Sequence, residues 1–140
     1  MAEKSWMSEC TLMYPEHQLN PEDLLHFVEL DGFVDDWKEL GLDVEVDLWT
    51  LQIGIMSDPS GPPVIGGTGG LRKLRFAPPG WKVGKRGAVR VCYVYFPEHW
   101  TVLLVMAYAK NRKDSLSARE KCDIANYIKR IEKWFESQNN

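Results

Sequence analysis

Residues 71–110 contain three β-strand patterns in succession, and this arrangement constrains the fold more than any other feature of the sequence. Residues 71–77 alternate basic and apolar side chains, residues 88–96 are rich in β-branched and aromatic side chains, and residues 101–110 form a third such run. Proline or glycine occurs in both intervening links, which favours turns there. The pattern therefore predicts three strands paired as an antiparallel meander.

One strand pattern and two helical patterns precede this meander. An apolar stretch at 24–33 is short enough for a first strand, and residues 35–40 form a short helical turn closed by Gly41. Asp43 is placed to cap a second helix, whose apolar residues recur at three- and four-residue steps until the Asp-Pro pair at 58–59 ends the pattern. Those apolar residues are Val46, Trp49, Ile53 and Met56.

A long amphipathic helix is predicted at the C-terminus. Ser117 and Glu120 have the spacing of a capping box, and apolar residues then recur along one helical face. These residues, which we expect to pack in the core, are Ile124, Tyr127, Ile128, Ile131, Trp134 and Phe135. The fold class predicted is α+β, with N-terminal helices, a twisted antiparallel sheet and a C-terminal helix that leaves one sheet face open.

Length and composition indicate one domain in a reducing compartment. The chain has 140 residues, and we interpret 1–23 as an N-terminal extension and 24–140 as a single domain. No apolar run approaches the roughly 20 residues of a membrane helix, and the first residues lack the apolar region of an export signal. Three widely spaced cysteines match neither a disulfide framework nor a zinc site, so the prediction is a cytoplasmic protein with no membrane contact.

Charge is segregated along the chain, although the net charge is only −3. Residues 1–65 hold 14 acidic and 2 basic side chains, whereas residues 66–114 hold 2 acidic and 10 basic ones. Between residues 71 and 90 there are seven Lys or Arg and no acid, so local ion pairs cannot neutralise them. Such a segment indicates a surface that binds phosphates.

The alternation of strand side chains gathers several of these cations on one face. Lys73 and Arg75 point away from the side of Leu74 and Phe76, which face the core. If the strand faces coincide, the resulting cluster comprises Lys73, Arg75, Arg90, Tyr108 and Lys110. Cations that hold a phosphate backbone beside a tyrosine that stacks on an unpaired base are suited to single-stranded RNA.

The same cluster contains side chains that could cleave RNA. Attack by the 2′-hydroxyl requires removal of its proton, stabilisation of an anionic phosphorus centre and a proton for the departing 5′-oxygen. Arginine stays charged and stabilises the anion, whereas Lys73 or Lys110, surrounded by other cations, are candidates for proton transfer. A basic face that only binds, without catalysis, is the alternative that composition alone leaves open.

Other motifs favour structural roles. The glycines at 66–70 precede a strand and lack the Gly-Lys-Ser/Thr ending of a phosphate loop, so they are interpreted as turn residues. His99 is interpreted as a surface residue rather than a general base. The acidic pairs Glu29 with Asp31 and Asp35 with Asp36 have no further ligands at suitable spacing, so no metal and no other cofactor is predicted.

Three ordered motifs resemble the RelE/HigB family of bacterial toxins, in its HigB-like branch. They are Gly-Thr-Gly-Gly-Leu-Arg-Lys-Leu-Arg-Phe-Ala at 67–77, Gly-Lys-Arg-Gly-Ala-Val-Arg-Val at 84–91, and Tyr-Ala-Lys-Asn at 108–111. The resemblance extends over about residues 26–130 and includes Phe-Val-Glu-Leu at 27–30. It implies a metal-independent endoribonuclease that cuts mRNA at the ribosomal A site and is neutralised by a helix-turn-helix antitoxin.

The resemblance also implies roles for individual side chains. Lys73 and Arg75 would contact the scissile phosphate, Arg90 would clamp a phosphate, and Tyr108 and Lys110 would stack on a base or transfer a proton. RNA-binding residues expected outside this catalytic set are Arg72, Lys82, Lys85 and Arg86. Two other classes stay open: a non-catalytic RNA- or ribosome-binding module, and an interaction domain whose acidic N-terminal half meets a basic partner.

Overall fold

Four strands form one mixed sheet in the spatial order β1-β4-β3-β2. The computed structural model describes residues 24–79, 88–109 and 116–138. The strands are β1 (His26–Glu29), β2 (Arg72–Phe76), β3 (Val89–Phe96) and β4 (Thr101–Ala109). The helices are α1 (Asp31–Glu39), α2 (Val46–Ser57) and α3 (Ala118–Gln138), and a single 3₁₀ turn, Pro97–His99, joins β3 to β4.

The predicted meander and the α+β class are confirmed. β2 pairs antiparallel with β3, and β3 pairs antiparallel with β4. The first strand is present but shorter than the predicted stretch at 24–33, because residues 31–33 already belong to α1. β1 joins the other edge of the meander and runs parallel to β4, with His26 opposite Thr101. This parallel pairing was not predicted, because the two strands are far apart in the sequence and no local pattern connects them.

The predicted helix boundaries have the polar contacts expected of caps. Gly41 follows α1 with a φ of +74°, a conformation that glycine adopts without steric cost. The Asp43 carboxylate accepts hydrogen bonds from the backbone N–H groups of Val46 and Asp47 at the start of α2. Before α3, Ser117 and Glu120 each accept a hydrogen bond from the other's backbone N–H, as in a capping box.

Helices α1 and α2 cover one face of the sheet with a continuous apolar core. Trp37 of α1 lies at its centre, stacked between Phe33 and Phe76 with ring centroids 5.2 and 5.9 Å away, and Tyr93 of β3 is buried beside it. From α2, the buried residues of this core are Leu48, Leu51 and Ile55. Val46 was expected on the buried side of α2 but is exposed.

Helix α3 packs on the opposite face, so the expectation of one entirely open face is wrong. Ile128 of α3 is buried against Leu71, Val94 and Leu103. Phe135 also packs there, as predicted, but Trp134 is 55% exposed and does not belong to the core. Helical periodicity identified the correct side of α3 but did not reveal that its last turns extend to the edge of the sheet.

Two further features concern the rest of the described chain. Gly67, Gly69 and Gly70 have positive φ angles, which confirms them as turn glycines in the loop before β2. In the described ranges, none of the helices carries an apolar stretch of the length that a bilayer crossing demands. The predicted extension at 1–23 lies outside the described residues, as do Lys82, Lys85, Arg86 and Lys110.

Candidate nucleic-acid interface

Strand register places Arg75, Arg90 and Tyr108 side by side in one row across the sheet. Arg75 of β2 is opposite Arg90 of β3, and Arg90 is opposite Tyr108 of β4. Side chains directly opposite each other have Cβ atoms about 5 Å apart, so these three form one continuous surface. Like charges in such a pair are unfavourable unless an anion lies between them.

Lys73 extends this row by one step on the same side of the sheet. It pairs with Cys92, which is two residues from Arg90 and therefore faces the same way. Four of the five residues of the predicted cluster thus share one face, and the fifth, Lys110, lies outside the described residues. We call Lys73, Arg75, Arg90 and Tyr108 the basic row.

The basic row lies on the sheet face that α3 covers, but at the opposite end of that face from the apolar side chains packed beneath α3. Cys92 and Val94 belong to the apolar cluster beneath α3, and Tyr108 packs at its margin. A strand rises about 3.3 Å per residue, so Arg90 is about 13 Å along β3 from Val94. The face therefore changes along its length from an apolar core to a cationic surface.

The guanidinium of Arg90 has a hydrogen-bond donor with no acceptor among the described residues. Its Nη1 atom is buried from solvent and has no hydrogen-bond partner within the described ranges. A buried donor left without a partner costs stability, about 1–3 kcal/mol, and the cost is larger for a charged group. An anionic oxygen bound at this position would remove that penalty, which is the behaviour expected of a phosphate-binding arginine.

Tyr108 presents a neutral phenol beside this guanidinium. Burial raises the pKa of Tyr108 to about 12; the neighbouring Cys92, to which its hydroxyl is hydrogen-bonded, adds to the rise, and Arg90 opposes it. The hydroxyl therefore keeps its proton at neutral pH. It can donate a hydrogen bond or a proton, but it is unsuited to accept one from a 2′-hydroxyl.

Cys92 is a residue of this site that sequence reasoning did not identify. It is 1% exposed and lies between Lys73 and Met106 across the sheet, in contact with the Tyr108 hydroxyl. The alternation of β3 did place it on the face of Arg90, so its position was predictable, but its contact with Tyr108 depends on pairing between strands.

Arg72, predicted to bind RNA, is occupied in a structural contact. Its guanidinium donates hydrogen bonds to the backbone carbonyls of Ser60 and Pro62, at 2.9 and 2.7 Å. It also pairs with Tyr93 in register, on the α1–α2 face rather than with the basic row. Arg72 therefore attaches the loop after α2 to the sheet.

The remaining candidate residues do not join the basic row. His99 stacks on Phe135 with ring centroids 4.1 Å apart, at the far end of the sheet. Asp36, one of the acidic residues considered for a metal, accepts a hydrogen bond from the backbone N–H of Ala107. Within the described part of the chain, no three His, Cys, Asp or Glu side chains are grouped as they would be around a metal ion.

Comparison with known proteins adds a fold likeness. No family model matches the chain. Among solved structures, it is similar to the E. coli toxin RelE, in the free state of a double arginine-to-alanine mutant, with 16% sequence identity and a TM-score of 0.49. The match covers 77% of this chain and 98% of that one. A likeness of this size says nothing about the site, so the functional argument below depends on the side chains themselves.

Proposed function

We propose that the chain is a cytoplasmic endoribonuclease toxin of the RelE/HigB type that cuts mRNA presented by the ribosome and is held inactive by a helix-turn-helix antitoxin. The observation that carries this proposal is the basic row, in which Arg75, Arg90 and Tyr108 adjoin in register. The ordered motifs described above support the same family, because they supply these residues.

In the proposed reaction, the 2′-hydroxyl of the substrate attacks the adjacent phosphorus and expels the 5′-oxygen. The guanidinium groups of Arg75 and Arg90 stabilise the charge that builds on the phosphorus centre, which makes the reaction independent of a metal. Tyr108, which is protonated at neutral pH, donates to the leaving oxygen or to a phosphate oxygen. The proton of the 2′-hydroxyl passes to a base, and among the described residues the candidate is Lys73, which accepts it as the neutral amine.

The predicted outer contacts complete the proposal. Lys82, Lys85 and Arg86, from the sequence between β2 and β3, bind ribosomal RNA, and Lys110, two residues after Tyr108 in the sequence, belongs to the catalytic set. Arg72 acts indirectly, since its side chain holds the loop at Ser60 and Pro62.

The decisive experiment is induced expression of the full chain in a bacterial host, with mapping of new mRNA 5′ ends. We expect growth arrest with new ends inside translated reading frames, and both effects should be lost in the Arg90→Ala variant. Lys38→Ala is the matched control, because it removes an exposed cation from α1 without affecting the basic row.

Each alternative outcome has a distinct meaning. Equal toxicity of wild type and Arg90→Ala would overturn the assignment of the site. RNA or ribosome binding without new 5′ ends would instead indicate the non-catalytic binding module. New ends in untranslated RNA would show a nuclease that does not depend on the ribosome.

A further inference from the structure

An apolar hollow lies at the end of the sheet opposite the basic row. It has a volume of about 330 Å³ and lies between the C-terminal half of α3 and strands β1 and β4. Its walls include Val28 of β1, Leu103 of β4, and Ile131, Trp134 and Phe135 of α3. Val28 and Trp134 are 37% and 55% exposed, so apolar area here is in contact with water.

Two exposed apolar side chains line this hollow. Seven large apolar residues are exposed in the described part of the chain, and two of them, Val28 and Trp134, form part of its walls. Leu24 precedes β1, and the backbone carbonyl of Trp100 accepts the hydrogen bond from His26 at the start of that strand. Large apolar side chains that are exposed in the walls of an apolar hollow are typical of an interaction surface.

Trp100 adds an energetic argument. It has a φ of +53°, the only positive value at a non-glycine residue in the described ranges, and its side chain is 58% exposed. A bulky residue in the left-handed conformation costs about 1–2 kcal/mol. The indole is not buried in return.

A second hollow, with acidic walls, adjoins the first. Its lining includes Glu98 of the 3₁₀ turn and Glu132 and Glu136 of α3, with no Lys or Arg among the described residues that line it. Phe96 lines both hollows, so the two are adjacent. Three of the cations of this helix, Lys129, Arg130 and Lys133, surround a different hollow.

We propose that the two hollows together form a surface that binds a basic amphipathic segment of another protein. This segment inserts a large apolar side chain beside Trp134 and places Lys or Arg against Glu132 and Glu136. Charge complementarity identifies this class of partner. The glutamates repel nucleic acid and anionic lipid. Residues 1–23 carry five acidic and one basic side chain, so the chain's own N-terminal segment has the wrong charge to fill the surface. A twofold dimer through the same surface would place the acidic rims against each other.

The test is a binding titration of the full chain with a fluorescein-labelled two-heptad peptide. The probe has leucine at its apolar positions and lysine elsewhere, and its matched control has glutamate in place of every lysine. We expect saturable one-to-one binding of the lysine peptide only. Glu132→Lys with Glu136→Lys should weaken binding on the order of tenfold or more, since close like charges replace attractive ones.

Matched variants distinguish docking from general attraction to an acidic protein. Asp35→Lys with Glu45→Lys makes the same charge change at exposed positions on α1 and before α2, and it should leave the affinity unchanged. Trp134→Ser should weaken binding several-fold, whereas Val44→Ser, at a residue 66% exposed elsewhere, should not. All variants retain the basic row, so this test does not depend on the proposed nuclease activity.

Three results would overturn the proposal. One is the absence of saturable binding by the lysine peptide, and another is equal weakening by the two charge-reversed pairs. The third is self-association that Trp134→Ser abolishes in sedimentation, which would show that a second copy of the chain occupies the surface instead.

Discussion

The two faces of the sheet are made by the same strands, but they differ in how completely they are used for folding. On the α1–α2 face, β3 contributes Val89, Val91 and Tyr93, which are all fully buried in the core. On the α3 face, β3 begins with Arg90 and becomes apolar only at Cys92 and Val94. One face is a structural core, whereas the other combines a core with a cationic surface.

The two arginines Arg72 and Arg90 show the same difference at the level of single side chains. Arg72 on the α1–α2 side donates two hydrogen bonds to backbone carbonyls of a loop. Arg90 on the α3 side keeps a buried donor without a partner in the described ranges. A side chain that costs stability is expected where it serves another purpose, so Arg90 is the stronger functional candidate.

The largest effect expected is on the structural face. Trp37→Ala removes an indole that stacks on two rings and donates a hydrogen bond to the Asp43 carbonyl, and should lower the free energy of unfolding by about 3–5 kcal/mol. The control Trp134→Ala, at an exposed position, should change it by less than about 0.5 kcal/mol. Denaturant titration measures both, and similar losses would contradict the assignment of the core.

The second prediction compares the two arginines directly. Arg72→Met should lower the free energy of unfolding by about 2 kcal/mol, because it removes two hydrogen bonds from a charged donor. Arg90→Met should leave stability unchanged or raise it by up to about 1 kcal/mol, because it removes a buried unpaired donor. Chemical denaturation of both variants decides the comparison, and a clear loss for Arg90→Met would show that its guanidinium has a structural role.

The third prediction concerns pH and the buried tyrosine of the structural face. Burial raises the pKa of Tyr93 to about 12, with Arg72 opposing and Asp58 adding to the rise, and its hydroxyl donates to the Pro59 carbonyl. Because the folded-state pKa exceeds the unfolded value of about 10, the stability from neutral Tyr93 is complete below about pH 10 and is lost as pH rises through 12.

Tyr93→Phe should therefore cost about 1 kcal/mol at neutral pH, the value of one hydrogen bond. The difference from wild type should shrink above pH 10, since the variant has no phenol to ionise there. Urea titrations at a series of pH values measure this convergence. A difference that stays constant up to pH 12 would contradict a raised pKa for this residue.

Local patterns were sufficient to predict the elements and most of the basic row. Alternation in β2 and β3 fixes which side chains share a face, and Asp43, Ser117 and Glu120 mark helix ends through contacts within a few residues. The pairing of β1 with β4 could not be predicted in this way. Neither could the contact of Arg72 with Ser60, since the two residues are 12 positions apart and no local pattern connects them.

The exposure of Trp134 and the hollows beside it could not be predicted for a related reason. A helical stripe shows which side of α3 faces the sheet, but it does not show where the strands beneath it end. The last turns of α3 lie at the edge of the sheet, where Trp134 lines a hollow with Val28 of the edge strand β1. Trp134 therefore belongs to the apolar stripe of the helix, but it is exposed because of where it lies.

The pairing of His26 with Thr101 has a consequence for how the molecule is assembled during synthesis. The N-terminal strand leaves the translation machinery long before the strand it pairs with, and a loop of this length is entropically costly to close before the meander exists. Helices α1 and α2 are likewise made before β3, whose side chains complete their core. The apolar side chains of β1, α1 and α2 therefore cannot be buried in this core until β4, the last strand, has been synthesised.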